Sequence, residues 1–215
     1  MMTAIQAMPR RGRFTAGMLL GLAFLAGTAQ AQAADAEAGS IKAGREATQT
    51  CAGCHGAKGN SPTPAFPSLA GQPARYLVDQ LEAYRSGERE NAIMNGQASN
   101  LTDQQIRDIA AYYAAQERKV ANPASEGSEM GATLYTHGRE GVPACAACHG
   151  AEGHGNQPGG FPALRGLSTD YLAQSLKDYR AGKRAYGQGG LMLPVAAQLS
   201  GEEIDALAAH IATLD

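Results

Sequence analysis

All four cysteines of this chain fall in two copies of one short unit, Cys51-x-x-Cys54-His55 and Cys145-x-x-Cys148-His149. The copies stand 94 residues apart, and the sequence around them repeats as well. Phe66 to Gly87 matches Phe161 to Gly182, with Phe, Pro, Leu, Gly, Tyr, Leu, Gln, Leu, Tyr, Arg and Gly recurring nearly in register. Leu101 to Ala114 matches Leu199 to Ala212. The offset drifts from 94 at the cysteines to 95 at Phe-Pro and 98 at the last segment, as small loop insertions between two separately folded copies would produce. The duplication commits the chain to two small cores.

Within each copy the apolar spacing is helical. Thr102-x-x-Gln105 and Ser200-x-x-Glu203 are capping boxes. Ile106, Ile109, Ala110 and Tyr113 follow the first at helical intervals, as Ile204, Leu207, Ala208 and Ile211 follow the second. Middle helices are predicted from about Arg75 to Arg85 and from about Asp170 to Arg180, and shorter ones around Ile41 to Thr50 and Gly127 to His137. No stretch alternates as a strand would. The expected fold is all-α, in two tandem domains at 34–119 and 127–215. A linker at 120–126 lies inside the polar stretch from Gln116 to Glu129.

Residues 1–33 read as a cleaved signal peptide, with Arg10, Arg11 and Arg13 ahead of the apolar run Phe14 to Gly27. Small residues allow cleavage after Ala31 or Ala33. An uncleaved anchor is the alternative, although the run is short for a membrane span of about 20 residues. Cleavage would leave 15 basic and 20 acidic residues, a net charge near −5. That balance disfavours nucleic acid or an anionic membrane as the main partner. Aromatic content is 6% and Trp is absent, so each small core calls for bound bulk to fill it.

Several chemistries use paired thiols. A thioredoxin-like redox pair needs a strand-helix-strand setting, and a zinc site made of two such halves closes over about 15 to 20 residues. Plain disulfides would leave the two histidines unexplained. Covalent haem attachment uses every residue of the unit: two thiols one turn apart add to two porphyrin vinyl groups, and the adjacent His supplies a nitrogen to the iron. Cys51, Cys54, Cys145 and Cys148 are the candidate anchors, with His55 and His149 the candidate iron ligands.

Such an iron takes a second axial group, usually Met or His. Beyond the export segment only Met94, Met130 and Met192 remain. Met94 and Met192 each lie seven residues before the Leu that opens the last repeated segment, in what reads as a loop, so they are the candidate sixth ligands. Met130 has no twin and reads as packing in its helix. His137, His154 and His210 lack partners in the first copy and read as surface or locally bonded residues. Pro67 and Pro162 follow their histidines by 12 and 13 residues, where a nearby carbonyl would accept the imidazole Nδ1–H and fix its tautomer.

Each half resembles a class I c-type cytochrome domain, on Cys-x-x-Cys-His, then Pro67-x-Leu69-x-Gly71 or Pro162-x-Leu164-x-Gly166, then Met before a closing helix. The whole is similar to the dihaem cytochrome c4 family, with Pro194 two residues after Met192 as a departure. The resemblance implies two haem domains about a pseudo-twofold axis, carrying two covalently attached haem c groups. It implies a monomeric periplasmic electron carrier, at most loosely membrane-associated, between an upstream redox donor and a terminal oxidase. The axial pairs would be His55 with Met94 and His149 with Met192. A cytochrome subunit of a periplasmic dehydrogenase, or a dihaem peroxidase, are the competing readings.

Overall fold

The structure, a computed structural model, describes residues 39–120 and 126–215. The predicted signal peptide and residues 121–125 of the predicted linker lie outside the described residues. In the first repeat α1 (Ile41–Ala47), α2 (Ala52–His55), α3 (Ala74–Ser86), α4 (Ala92–Ala98) and α5 (Asp103–Ala114) follow in order. In the second, α6 (Glu129–His137), α7 (Ala146–His149), α8 (Thr169–Arg180), α9 (Met192–Ala197) and α10 (Gly201–Ile211) repeat the sequence of elements. A 3₁₀ turn at Gly187–Leu191 runs directly into α9. The described residues form no strands beyond two isolated bridges, Arg139 with Val142 and Asn156 with Phe161.

Both capping boxes form as the sequence predicts, each side chain meeting the other's backbone N–H. They start α5 and α10, which present Ile106, Ile109 and Tyr113, and Ile204, Leu207 and Ile211, to their cores. The first helix of each repeat crosses this last helix at a glycine. A Cβ on Gly44 would run into the Asp108 carbonyl, and one on Gly131 into the Ala206 carbonyl. Close backbone approach is the physical reason for glycine there. Asp108, itself buried, accepts from the Ser40 N–H at 2.7 Å and so fastens the start of α1 to α5.

Met130 departs from its expected packing role, being exposed on α6. The buried stripe of that helix is Gly131, Leu134 and Tyr135, and Met130 falls off it. The growth of the repeat offset also finds its place. Arg89 matches Arg184 at 95 and Met94 matches Met192 at 98, so the inserted residues form the glycine-rich 3₁₀ turn. That turn rests on the first repeat, with Gln188 N–H donating to Asp79 on α3 at 3.4 Å.

The two repeats meet along a buried polar seam. Arg89 donates to the Tyr171 hydroxyl at 3.4 Å, and its twin Arg184 donates to Tyr76, the twin of Tyr171, at 3.3 Å. Each guanidinium also lies over a ring of its own repeat, Arg89 over Tyr84 at 4.6 Å and Arg184 over Tyr179 at 4.3 Å. Such reciprocity is what a twofold relation between the copies produces.

Candidate haem sites

In the first repeat Thr48 to Cys51 hands the chain directly into α2, and the single turn Ala52–His55 carries Cys54 and His55. The His55 ring is buried, and its Nδ1 lies 2.8 Å from the Pro67 carbonyl. A carbonyl can only accept, so Nδ1 carries the proton and Nε2 keeps its lone pair. Burial lowers the His55 pKa, against the opposing pull of the Pro67 bond, so the ring is held in the neutral form a metal ligand needs. Phe66 meets the imidazole edge-on, with centroids 6.1 Å apart.

The second repeat builds the same arrangement. His149 on α7 is buried, its Nδ1 is 2.8 Å from the Pro162 carbonyl, and Phe161 stands edge-on at 6.2 Å. Burial again lowers the imidazole pKa, opposed by the Pro162 bond. The expectation that a carbonyl beside each proline fixes the histidine tautomer is met in both copies.

No disulfide joins any two of the four cysteines. Burial pushes the Cys51 thiol up and the Cys145 thiol up to about 11. Reactive redox cysteines have the opposite tendency, towards thiolate at neutral pH. The thioredoxin-like alternative also lacks, among the described residues, the strand-helix-strand setting it needs.

A cavity of about 900 Å³ opens above His55. Cys51, Cys54, His55 and Met94 all line it, with Leu77, Leu81, Ile109 and Tyr113 among its apolar walls. The residue types suit a flat apolar macrocycle: two thiols, a nitrogen donor and a thioether around one apolar slot. The polar end of the same cavity carries Tyr76, Gln80, Arg89, Tyr171 and Arg184. Both arginines are buried, and among the described residues neither pairs with a carboxylate. Two buried cations without anions fit a group that brings its own carboxylates, as a porphyrin with two propionates does.

The methionines differ from expectation in one respect, because neither lies in a loop. Met94 sits in α4, where the Asn91 side chain caps the helix by accepting from the Met94 N–H at 3.0 Å. Asn95 then ties that helix down, its Nδ2 donating to the Tyr84 carbonyl at 2.6 Å and the Arg89 carbonyl at 2.8 Å. Met192 is the first residue of α9. Pro194 therefore falls in the first turn of that helix, where its missing N–H has no intrahelical partner to lose. Behind both methionines an arginine holds the next loop: Arg85 donates to the Leu101 carbonyl at 2.8 Å and Arg180 to the Leu199 carbonyl at 3.2 Å.

The remaining histidines stay apart from these sites. His137 is exposed at the end of α6, and His154 lies 2.8 Å from Glu152. His210 packs on the Tyr135 ring at 5.5 Å, while its first-repeat counterpart Tyr112 donates to the Ala57 carbonyl at 3.0 Å. Sequence spacing places Gln80 on the repeating turns of the middle helix without a role, and singles out neither Asn95 nor the arginine pair. The arginine pair had a usable signal there, since Arg89 and Arg184 hold the 95-residue offset of the Phe-Pro segment.

The cytochrome c family profile matches residues 41–115 and 128–215, once over each repeat. A cytochrome c4 from Pseudomonas aeruginosa is 41% identical over 177 residues, covering 81% of this chain and 88% of the relative. The chain belongs to the dihaem cytochrome c4 family. The crystal structure of reduced recombinant cytochrome c4 from Pseudomonas stutzeri superposes with a TM-score of 0.76 at 38% identity, over 83% of this chain and all of that one. A thiosulfate dehydrogenase electron acceptor from Thiomonas intermedia is 35% identical, covering 96% of this chain and 93% of the relative. The fold is thus two tandem class I cytochrome domains, and the chain is an electron-transfer protein with two covalently bound haem c groups rather than an enzyme.

Proposed function

We propose that this chain is a periplasmic electron carrier in a respiratory chain, accepting electrons from an upstream dehydrogenase and passing them to a terminal oxidase. The observation that supports it best is the matched pair of bonds from His55 to Pro67 and from His149 to Pro162, each leaving a buried neutral imidazole with one free nitrogen. In this reading Cys51 and Cys54, and Cys145 and Cys148, hold the two haems by thioether bonds. His55 with Met94, and His149 with Met192, would hold the two irons. The domains run over 34–119 and 127–215, with residues 1–33 removed on export.

The haem supplies one-electron redox chemistry; the protein supplies position and environment. His and Met together stabilise the reduced iron and raise the potential. Two protein ligands on each iron would leave no place for a substrate at the metal. Arg89 and Arg184, buried at the seam without carboxylate partners among the described residues, would pair with the haem carboxylates. No described helix is long and apolar enough to cross a membrane.

The test is to expose the reduced holoprotein to carbon monoxide while haem content is measured on the same sample. Two haems per chain and no carbon monoxide spectrum support closed His–Met irons. Rapid binding at either haem defeats that ligand set.

A second reading is favoured by the Thiomonas intermedia relative, whose name makes it an electron acceptor for thiosulfate dehydrogenase. Here the chain is the cytochrome subunit of a periplasmic dehydrogenase. Purification of the native protein under mild conditions separates the two, since a subunit brings a stoichiometric partner and a free carrier comes alone.

A further inference from the structure

One peptide group in the second repeat is hydrogen-bonded at both ends to something of consequence. Its carbonyl, on Pro162, accepts from His149 Nδ1 at 2.8 Å. Its N–H, on Ala163, donates to the side-chain oxygen of Gln72 at 2.9 Å. Gln72 belongs to the first repeat and reaches across the seam. Its Nε2 donates back to the Ala163 carbonyl at 2.9 Å, so the amide is gripped on both edges. The orientation of that amide is not free, because a backbone N–H only donates and a carbonyl only accepts. Gln72 is 3% exposed and Ala163 1%, so water does not compete for either bond.

We propose that Gln72 is a positioning residue for the second haem, acting from the first domain through the Pro162–Ala163 peptide. Hydrogen bonds in series polarise one another. An acceptor on the Ala163 N–H moves electron density towards the Pro162 oxygen, which then holds the His149 proton more tightly. The imidazole gains anionic character and becomes a stronger donor to iron, favouring the oxidised state. Gln72 therefore lowers the potential of the second haem. The first haem has no equivalent device: the peptide Pro67–Ser68 is the repeat twin, and the twin of Gln72 is Leu167, which has no acceptor. One glutamine present in a single copy thereby makes two like-ligated haems unequal, and makes the second potential depend on contact between the domains. The inference rests on His149 being an axial ligand.

The experiment uses the full holoprotein, with Gln72→Leu as the test variant and Gln157→Ala as the control. Gln157 also bonds across the seam, to the Gly71 carbonyl at 2.9 Å, but does not touch the Pro162–Ala163 peptide. Spectroelectrochemical titration resolves the two midpoints, and a Met192→His variant identifies which belongs to the second haem. Gln72→Leu is expected to shift that haem about threefold towards the reduced state, about 28 mV upward at 59 mV per decade. The first haem stays in place, and Gln157→Ala moves neither. The His149 Nδ1–H proton resonance of the reduced, diamagnetic protein moves upfield in Gln72→Leu alone. Equal shifts at both haems, or the same shift in Gln157→Ala, would reduce Gln72 to an interface residue and overturn the proposal. Carbon monoxide binding at the second haem of the unsubstituted protein would remove Met192 from the proposed ligand set and leave His149, and with it this inference, standing. A closed second iron with an unmoved midpoint would remove this inference alone.

Discussion

The side-chain oxygen of Gln80 accepts from Arg184 at 2.8 Å across the seam between the repeats. The same oxygen accepts from Arg89 at 2.6 Å and from the Tyr186 hydroxyl at 3.1 Å. One neutral carbonyl thus sits between two guanidiniums related by the duplication. Burial pushes the phenol of the adjacent Tyr171 up, yet Arg89 and Arg184 outweigh burial and hold it below the ordinary tyrosine range. The seam is strongly electropositive, and Gln80 is the dipole that orders it.

Replacing Gln80 by Leu keeps the volume and removes the acceptor. Two charged donors then lose a buried partner, and hydrogen bonds to charged groups contribute about 1.5–3 kcal/mol. Gln80→Leu is expected to destabilise the holoprotein by about 3 kcal/mol, read as a lower midpoint in guanidinium chloride with both haems still attached. A midpoint within experimental scatter of the parent would mean that the haem carboxylates alone order the arginines.

Much of this architecture is legible in the sequence, for a physical reason. Cys-x-x-Cys-His, the prolines and the capping boxes act locally, within one turn or one loop, so sequence spacing carries them. Gln80 and Gln72 act on the other repeat, and nothing in a linear sequence says which faces of two domains meet. The arginine pair lay between these cases: its repetition was visible, its burial was not. The short helices around Met94 and Met192 carry no apolar periodicity in the sequence, because α4 is started by an Asn91 cap and α9 by a preceding 3₁₀ turn.

Asn95 leads to a prediction specific to one haem. Its amide ties α4 to the Tyr84 and Arg89 carbonyls, whereas the residue matching it in the second repeat is Leu193. Asn95→Leu removes both bonds and loosens the helix that carries Met94. The reduced variant is expected to bind carbon monoxide slowly at one haem of two, and the oxidised variant to show a weakened methionine–iron absorption band. Binding at both haems, or at neither, would contradict a local role.

The glycine at each helix crossing can be tested against one that has room. Gly44→Ala forces a methyl into the Asp108 carbonyl, a site where backbone rather than a flexible side chain must move. Overpacking of this kind costs about 3 kcal/mol. Gly53→Ala, between the first pair of cysteines, meets nothing within 4 Å and copies Ala147 of the second repeat. It should be neutral or stabilising, by up to about 1 kcal/mol. Denaturant unfolding of the two holoproteins, side by side, decides it; similar losses in both would place the sensitivity in haem attachment instead.

The last prediction concerns acid stability. Glu203 closes the capping box of α10 and also meets Arg139, whose Nε donates to it at 2.6 Å and whose Nη2 donates at 2.9 Å. The Arg139 bonds lead, the Ser200 N–H adds to them, and the carboxyl pKa falls to about 2. An unfolded glutamate titrates near 4.3, so the folded state favours the ionised form. The stabilisation is therefore complete above about pH 5 and is lost as pH falls through 4 towards 2. Because the pair is solvent-exposed, the effect is small and screened by salt. Arg139→Met should shift the acid-unfolding midpoint of the second domain upward at low salt and much less at high salt. An unchanged acid midpoint at low salt would show that the capping box holds Glu203 ionised without Arg139.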